Sequence, residues 1–375
     1  MSTKKENAPF RADIVGSFLR PAVLKEARSK FSSGQISAEE LKQIEDEEII
    51  KLVNKQREAG LKVATDGEFR RSYWHLDFFW GFKGIAHTMQ PQGYAFHDEE
   101  TRADSARVCG KIAFNPQHPF LSHFSFLKSI VGENVMPRQT IPAPAQFYAE
   151  LVRGNNQQAV AEFYPDKEEL FHDICTAYHS TILAFYDLGC RNIQLDDCTW
   201  GMLGDRNFWK SMTNADYVIQ DLQQDYLRLN NGAIENLPDD LTVNTHICRG
   251  NYHSTWAASG GYETVAEKLF GEENVKAYYL EFDTERAGGF EPLRFIPNHK
   301  KVVLGLITTK FPQLENKEYI KRRIAEATKY VPLERLYLSP QCGFASTEEG
   351  NILTEEEQWK KISLVCTIAK EVWKS

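Results

Sequence analysis

The sequence predicts an α/β fold, a (β/α)8 TIM barrel with an insertion after its second strand. Three observations predict it. Eight short apolar runs, most of them nearly continuous, have the pattern of parallel strands buried on both faces. Longer stretches of helical periodicity separate them. Every unusual polar cluster falls at the carboxyl end of one of these runs, the face that carries active sites in such barrels.

The predicted strands are residues 12–16, 62–66, 135–141, 192–196, 241–247, 277–282, 301–307 and 335–339. Ser37 with Glu40 forms a capping box, opening a helix that should stop near Gly60. A second helix is expected over 167–188, with Leu170, Ile174, Ala177, Ile182 and Phe185 on its apolar stripe, ending before Gly189. Residues 214–229 and 317–330 also read as helices, and Thr354 with Glu357 caps a last one reaching about Trp373. Residues 82–133 break the alternation. They are rich in aromatics, histidine and turn residues, with a hairpin expected near 107–114. The segment is expected to be a lid, a substrate wall or an oligomer contact. No low-complexity linker and no repeat divides the sequence, so residues 1–375 read as a single barrel domain.

At 42% hydrophobic and 26% charged residues, the composition is that of a soluble globular protein with a large core. The fold therefore does not need a metal to hold it together. A net charge of -8 argues against a general nucleic-acid surface. No apolar run reaches the roughly 18 residues of a membrane span. The first residues are polar and lack a signal core, so a cytoplasmic location is expected. The seven cysteines are dispersed and odd in number, unlike a secreted disulfide framework.

Gly16-Ser17 follows the first run, Asp66-Gly67-Glu68 the second, and Asp196-Asp197 ends the fourth. His246 and Cys248 end the fifth, two apart and so on one face of a strand. Glu281 and Asp283 end the sixth, Thr308-Thr309-Lys310 follows the seventh, and Cys342 follows the eighth in Pro-Gln-Cys-Gly. One imidazole, two thiolates and a carboxylate are a tetrahedral zinc set, which makes His246, Cys248, Glu281 and Cys342 candidate metal ligands. The bland alternatives are a core histidine beside inert cysteines and, for Glu281 and Asp283, a surface ion pair with Arg286. From the residues alone, Asp283 competes with Glu281. Asp196-Asp197 is costly to bury without a cation, either a substrate ammonium or a structural arginine. Glu68 precedes Arg70 and Arg71, so an internal salt bridge is its plain reading. Trp74, Phe78, Phe79 and Trp80 read as core or wall.

At these residues the chain resembles the cobalamin-independent methionine synthases, specifically their catalytic carboxyl-terminal barrel. Ile-Val-Gly-Ser-Phe, Asp-Gly-Glu, Ile-Gln-Leu-Asp, Thr-His-Ile-Cys, Leu-Glu-Phe and Ser-Pro-Gln-Cys-Gly occur in the family's order. The likeness spans nearly the whole chain and is nearest to the short single-barrel relatives. It implies zinc held by His246, Cys248, Glu281 and Cys342, and it favours Glu281 over Asp283. It implies that Ser17, Glu68 and Asp196 grip homocysteine, whose thiol reacts as a thiolate with a methyl group carried by a 5-methyltetrahydrofolate. Two departures accompany it. The second, amino-terminal barrel of the full-length enzymes has no counterpart, and the family's histidine after strand seven is replaced by Thr308 or Thr309. His253 and Lys310 are the remaining general-acid candidates. The competing expectations are a zinc alkyltransferase acting on another thiol, a zinc-free enzyme like uroporphyrinogen decarboxylase, and a non-catalytic binding protein for homocysteine or methionine. The expected partners are small molecules, not nucleic acid or membrane.

Overall fold

The computed structural model describes residues 7–205 and 218–374. Its strands, in chain order, are β1 (Val63–Ala64), β2 (Lys83–Met89), β3 (Asp104–Ala113), β4 (Met136–Pro137), β5 (Gln139–Pro142), β6 (Asn192–Asp197), β7 (Thr242–Ile247), β8 (Ala277–Glu281), β9 (Lys301–Ile307) and β10 (Leu336–Pro340). From β5 to β10 each strand pairs in parallel with the next, giving a six-stranded parallel sheet. β1 pairs in parallel with β4, and β2 with β3 in an antiparallel hairpin. The mixed α/β class and the order of the parallel strands are as predicted.

The ladder itself does not close into a ring among the described residues. The first predicted strand makes only one bridge, Ala12 to Leu338. The cause is competition for its carbonyls. Arg138 takes Ile14 O at 2.6 Å, Gln194 takes Val15 O at 2.6 Å and Thr65 takes Gly16 O at 2.5 Å. Side chains satisfy backbone groups that a ladder would otherwise pair. The third predicted strand splits in two because it changes partner at Arg138, from β1 to β6.

The helices follow their local signals. Both predicted capping boxes form, at the head of Ala38–Glu58 and of Glu355–Trp373. Asp166 caps Lys167–Asp187, which stops before Gly189. The helix expected at 214–229 is Ile219–Ala233; its predicted start lies outside the described residues. The last turn expected to 330 is shorter, ending at Ala327. The hairpin β2–β3 lies in the predicted insertion and is followed by the helix Pro119–Ile130.

A buried polar centre ties these pieces together. Arg138 and Asp13, both without side-chain exposure, form an ion pair at 2.8 Å. Arg138 also donates to Asn192 Oδ1 at 2.6 Å and to the Tyr279 hydroxyl at 2.7 Å. Tyr279 in turn donates to Asp13 Oδ2 at 2.9 Å. Asp13 further accepts from the Phe10 and Ile14 N–H groups. Removing one member leaves the other charge buried and alone. Arg138→Leu is expected to lower unfolding stability by about 3–5 kcal/mol, read from the denaturant midpoint. An unchanged midpoint would show that the pair contributes nothing.

A second buried cluster is unfavourable. Asn230 Nδ2 bridges Asp197 Oδ2 at 2.9 Å and Glu273 Oε1 at 2.8 Å. Burial, and then the Asp197 charge, push the Glu273 carboxyl up to about 8. A carboxyl raised on folding contributes stability that is complete at low pH and is lost as pH rises through its folded value. Glu273→Gln is therefore expected to gain stability over the native protein as pH rises from about 4 to 8, with no difference at the acid end. A pH-independent difference would contradict the assignment.

Candidate active site

Three of the four candidate ligands converge. The ligand atoms of His246, Cys248 and Cys342 all lie within 4.8 Å of one another, and all three residues are buried. His246 ends β7, and its Nδ1 lies 3.1 Å from the Tyr279 carbonyl oxygen. That contact requires the proton on Nδ1, so Nε2 presents a lone pair. Nε2 is buried without any partner. A histidine fixed through one nitrogen, with the other bare and facing thiols, is the arrangement of a metal ligand. The donor set therefore fits zinc.

The fourth candidate is placed differently. Glu281 is fully buried at the end of β8, but its oxygens are occupied. Oε1 pairs with Arg286, and Oε2 accepts the Arg249 N–H at 3.0 Å. Lys310 Nζ lies 3.9 Å from Glu281 and 4.0 Å from Asp283. The ion pair with Arg286 thus exists, in the interior and not on the surface. Lys310, Arg286 and Arg249 hold the Glu281 carboxyl below its usual value against the effect of burial.

Sequence reasoning missed Cys198. Its Sγ lies 3.1 Å from Cys248 Sγ. The signal was present, because Cys198 directly follows Asp196-Asp197 at the carboxyl end of a predicted strand. Hydrogen bonds from the Cys198 and Cys342 thiols, with His246 beside it, hold the Cys248 thiol well below its usual range despite burial.

A cavity of about 1240 Å³, counting its open mouth, runs from these sulfurs outward. Ser17, Glu68 and Asp196 line it together with His246, Cys248 and Cys342. Gly343 makes this closeness possible, since a Cβ there would collide with Ser17 Oγ. Glu68 sits at φ 61 just after Gly67 at φ 67. A non-glycine residue in the left-handed region is strained, and here the strain aims a carboxylate into the cavity. Glu68 Oε1 pairs with Arg71 at 3.2 Å and accepts from Thr140 at 2.8 Å, while Oε2 is buried without a partner. The plain salt-bridge reading thus accounts for one oxygen only, and Arg70 pairs elsewhere, with Glu45 and Asp46. Asp196 accepts from Gln194 at 2.8 Å, and burial pushes its carboxyl up to about 7. Asp197 is spent on structure, accepting from Thr199 and Asn230.

The outer wall comes from the hairpin connection and the helix Pro144–Leu151. Tyr94 and Phe96 line the cavity, and His97 N bonds Trp256 O at 2.8 Å, joining the connection to the loop after β7. Trp74 lines the cavity, Trp80 packs partly buried against the main core, and Phe78 and Phe79 are fully buried in it. His75, Tyr94, Glu150 and Arg153 form a buried polar chain in this wall that sequence reasoning also missed. Burial, with Arg153 adding to it, lowers His75 to about 3, so its imidazole is neutral. Neither general-acid candidate lines the cavity. His253 pairs with Glu99 at 2.8 Å, and Lys310 faces Glu281 and Asp283. Of the two threonines after β9, Thr309 donates to Gln341 at 3.0 Å.

Known proteins carry this architecture. The chain matches the pattern of the cobalamin-independent synthase catalytic domain over residues 10–106 and 156–358. It is 47% identical to the Bacillus subtilis (strain 168) protein YxjH over 372 residues, 99% of this chain and 97% of that one. A Listeria monocytogenes crystal structure, described as a candidate vitamin-B12-independent methionine synthase, is 41% identical with a TM-score of 0.78, covering 98% of this chain and 99% of that one. The B12-independent methionine synthase of Shewanella sp. W3-18-1, solved with selenomethionine, shares the fold at 19% identity and a TM-score of 0.72, with 98% of each chain covered. No helix among the described residues is long and apolar enough to cross a membrane. With the pattern matched over most of its length, the chain belongs to the cobalamin-independent methionine synthase family, in its short form, and is an enzyme of the methyltransferase type.

Proposed function

We propose that this enzyme transfers a methyl group to the sulfur of homocysteine, giving methionine, at a zinc held by His246, Cys248 and Cys342 in a fold of the (β/α)8 barrel type. The observation that carries the reading is the bare, buried Nε2 of His246 converging with two cysteine sulfurs at the inner end of a cavity. Zinc, when bound there, stabilises a thiolate near neutral pH.

The chain's own residues would do the rest. Glu68 Oε2, buried and unpartnered, supplies an acceptor for the amino acid's ammonium. Asp196, which burial leaves near half-protonated at neutral pH, becomes the second acceptor once a cation stands beside it. Ser17 supplies a hydroxyl for the carboxylate. Two carboxylates at this end favour an amino-acid thiol over a sulfonate thiol, which would need arginine or lysine there. The hairpin connection in 82–133 then serves as a wall over the methyl donor, a 5-methyltetrahydrofolate in this reading. No proton reaches the leaving group through His253 or Lys310, since neither faces the cavity.

Cys342→Ala is expected to lose zinc and activity while keeping the fold, by more than the roughly 10–100-fold that loss of an outer partner costs. Metal analysis and circular dichroism check it, and full zinc occupancy in that variant would sink the ligand set. Glu68→Gln is expected to weaken homocysteine binding by about 2 kcal/mol or more, roughly 30-fold, with zinc content unchanged. Equal affinity in native and variant protein by calorimetry would remove Glu68 from the amino-acid site. Methionine formation from homocysteine and 5-methyltetrahydrofolate tests the reaction itself.

A further inference from the structure

We infer that His75 selects the second substrate: its Nδ1 accepts a hydrogen bond from a ring or amino N–H on the flat head of the methyl donor. The inference rests on the proposed reaction and extends it to a residue of the outer wall.

His75 follows the turn that carries Glu68 and precedes the short helix Leu76–Phe79. It is buried, with 3% exposure, and lines the cavity beside Trp74 and Tyr94. The hydrogen bonds around it fix which nitrogen holds the proton. Glu150 takes the Arg153 Nε–H at 3.0 Å and also accepts from the Tyr94 hydroxyl. A phenol has one proton, and Tyr94 spends it on Glu150. The contact of 2.8 Å between His75 Nε2 and the Tyr94 oxygen therefore needs the proton on Nε2. Nδ1 keeps its lone pair, and no donor among the described residues reaches it. A buried acceptor without a donor is unfavourable, so a bound molecule that supplies one is favoured. Burial and the Arg153 charge keep the ring from taking a second proton. Nδ1 is thus an acceptor and no general acid.

The surroundings set the class of molecule. Trp74, Tyr94, Phe96 and Tyr252 line the same cavity. The Trp74 ring lies 4.6 Å from that of His75, and Phe96 lies 5.3 Å from Tyr252. Aromatic faces of this kind favour a flat ring. Among the described residues that line the cavity, Arg153 is the one arginine, and there is no lysine. That arginine is spent on Glu150 and on the face of Tyr94, 4.1 Å from its centroid. The wall therefore holds no free cation for an anionic head. An uncharged heterocycle with N–H groups on its edge answers both conditions, and the reduced pterin of a 5-methyltetrahydrofolate is one. Glu150 and Arg153 lie in 107–155, outside the residues that the family pattern matches, so the lock on His75 belongs to this chain's own wall.

Two substitutions separate the two nitrogens. His75→Gln keeps a donor for Tyr94 and removes the acceptor at Nδ1, whereas His75→Asn keeps an acceptor near Nδ1 and gives up Tyr94. With homocysteine and 5-methyltetrahydrofolate as substrates, His75→Gln is expected to raise the KM for the folate about tenfold, with kcat, zinc content and the homocysteine KM unchanged. His75→Asn is expected to lie nearer the native value. Nitrogen NMR of the native protein with isotope-labelled histidine gives a reading that no variant's folding affects. Adding the folate is expected to move the unprotonated Nδ1 resonance of His75 toward the hydrogen-bonded range. An unmoved resonance in protein that turns the folate over, or a folate KM equal in native and His75→Gln protein, would overturn the inference and leave the reaction standing. Native protein that makes no methionine from this pair would overturn the reaction and the inference with it.

Discussion

The Arg138–Asp13 pair is the constraint on which the rest of this fold depends. Backbone hydrogen bonds hold β5 to β10 together, and among the described residues the first segment joins that ladder by one bridge, at Ala12. The polar centre binds that segment to residues from β6 and β8 at once. An arginine can do this because its planar fork serves several acceptors at fixed angles. Segment one carries Ser17, so the same contacts that complete the fold place one wall of the cavity. Stability and function are joined here through four side chains in the interior.

Around the sulfurs the structure separates two charge systems. On one side Cys248, contacted by the Cys198 sulfur, and His246, with its bare Nε2, line the cavity. Behind them Glu281 pairs with Arg286 and accepts the Arg249 N–H, while the Lys310 ammonium and the Asp283 carboxylate stand about 4 Å off without hydrogen-bond partners among the described residues. Such a cluster is costly to bury unless its members answer one another.

Much of this was legible in the sequence, for identifiable reasons. Both capping boxes formed because a serine or threonine three residues before a glutamate satisfies helix ends locally. The parallel strands were legible because most of them are short runs rich in apolar residues between longer helical stretches. The convergence of His246, Cys248 and Cys342 followed from their place at strand ends. What was not legible depended on competition between partners. The first strand lost its ladder to Arg138, Gln194 and Thr65, which no local pattern reveals. Glu281 was read by its position, yet its oxygens answer Arg286 and the Arg249 N–H, with Lys310 from the turn after β9 nearby. Cys198 was passed over as one of seven dispersed cysteines, and only the register of β6 against β7 makes it a neighbour of Cys248.

The cavity is built from two stretches of unlike origin. Its inner end comes from segments inside the family pattern, whereas Gln146, Ala149, Glu150, Val152 and Arg153 fall in the interval 107–155 that the pattern leaves out. The histidine and cysteines at the inner end and this part of the wall therefore sit on separate pieces of chain. That stretch of wall follows β5, two strands from the β7 that carries His246, so it can be rewritten while the inner end goes on as before.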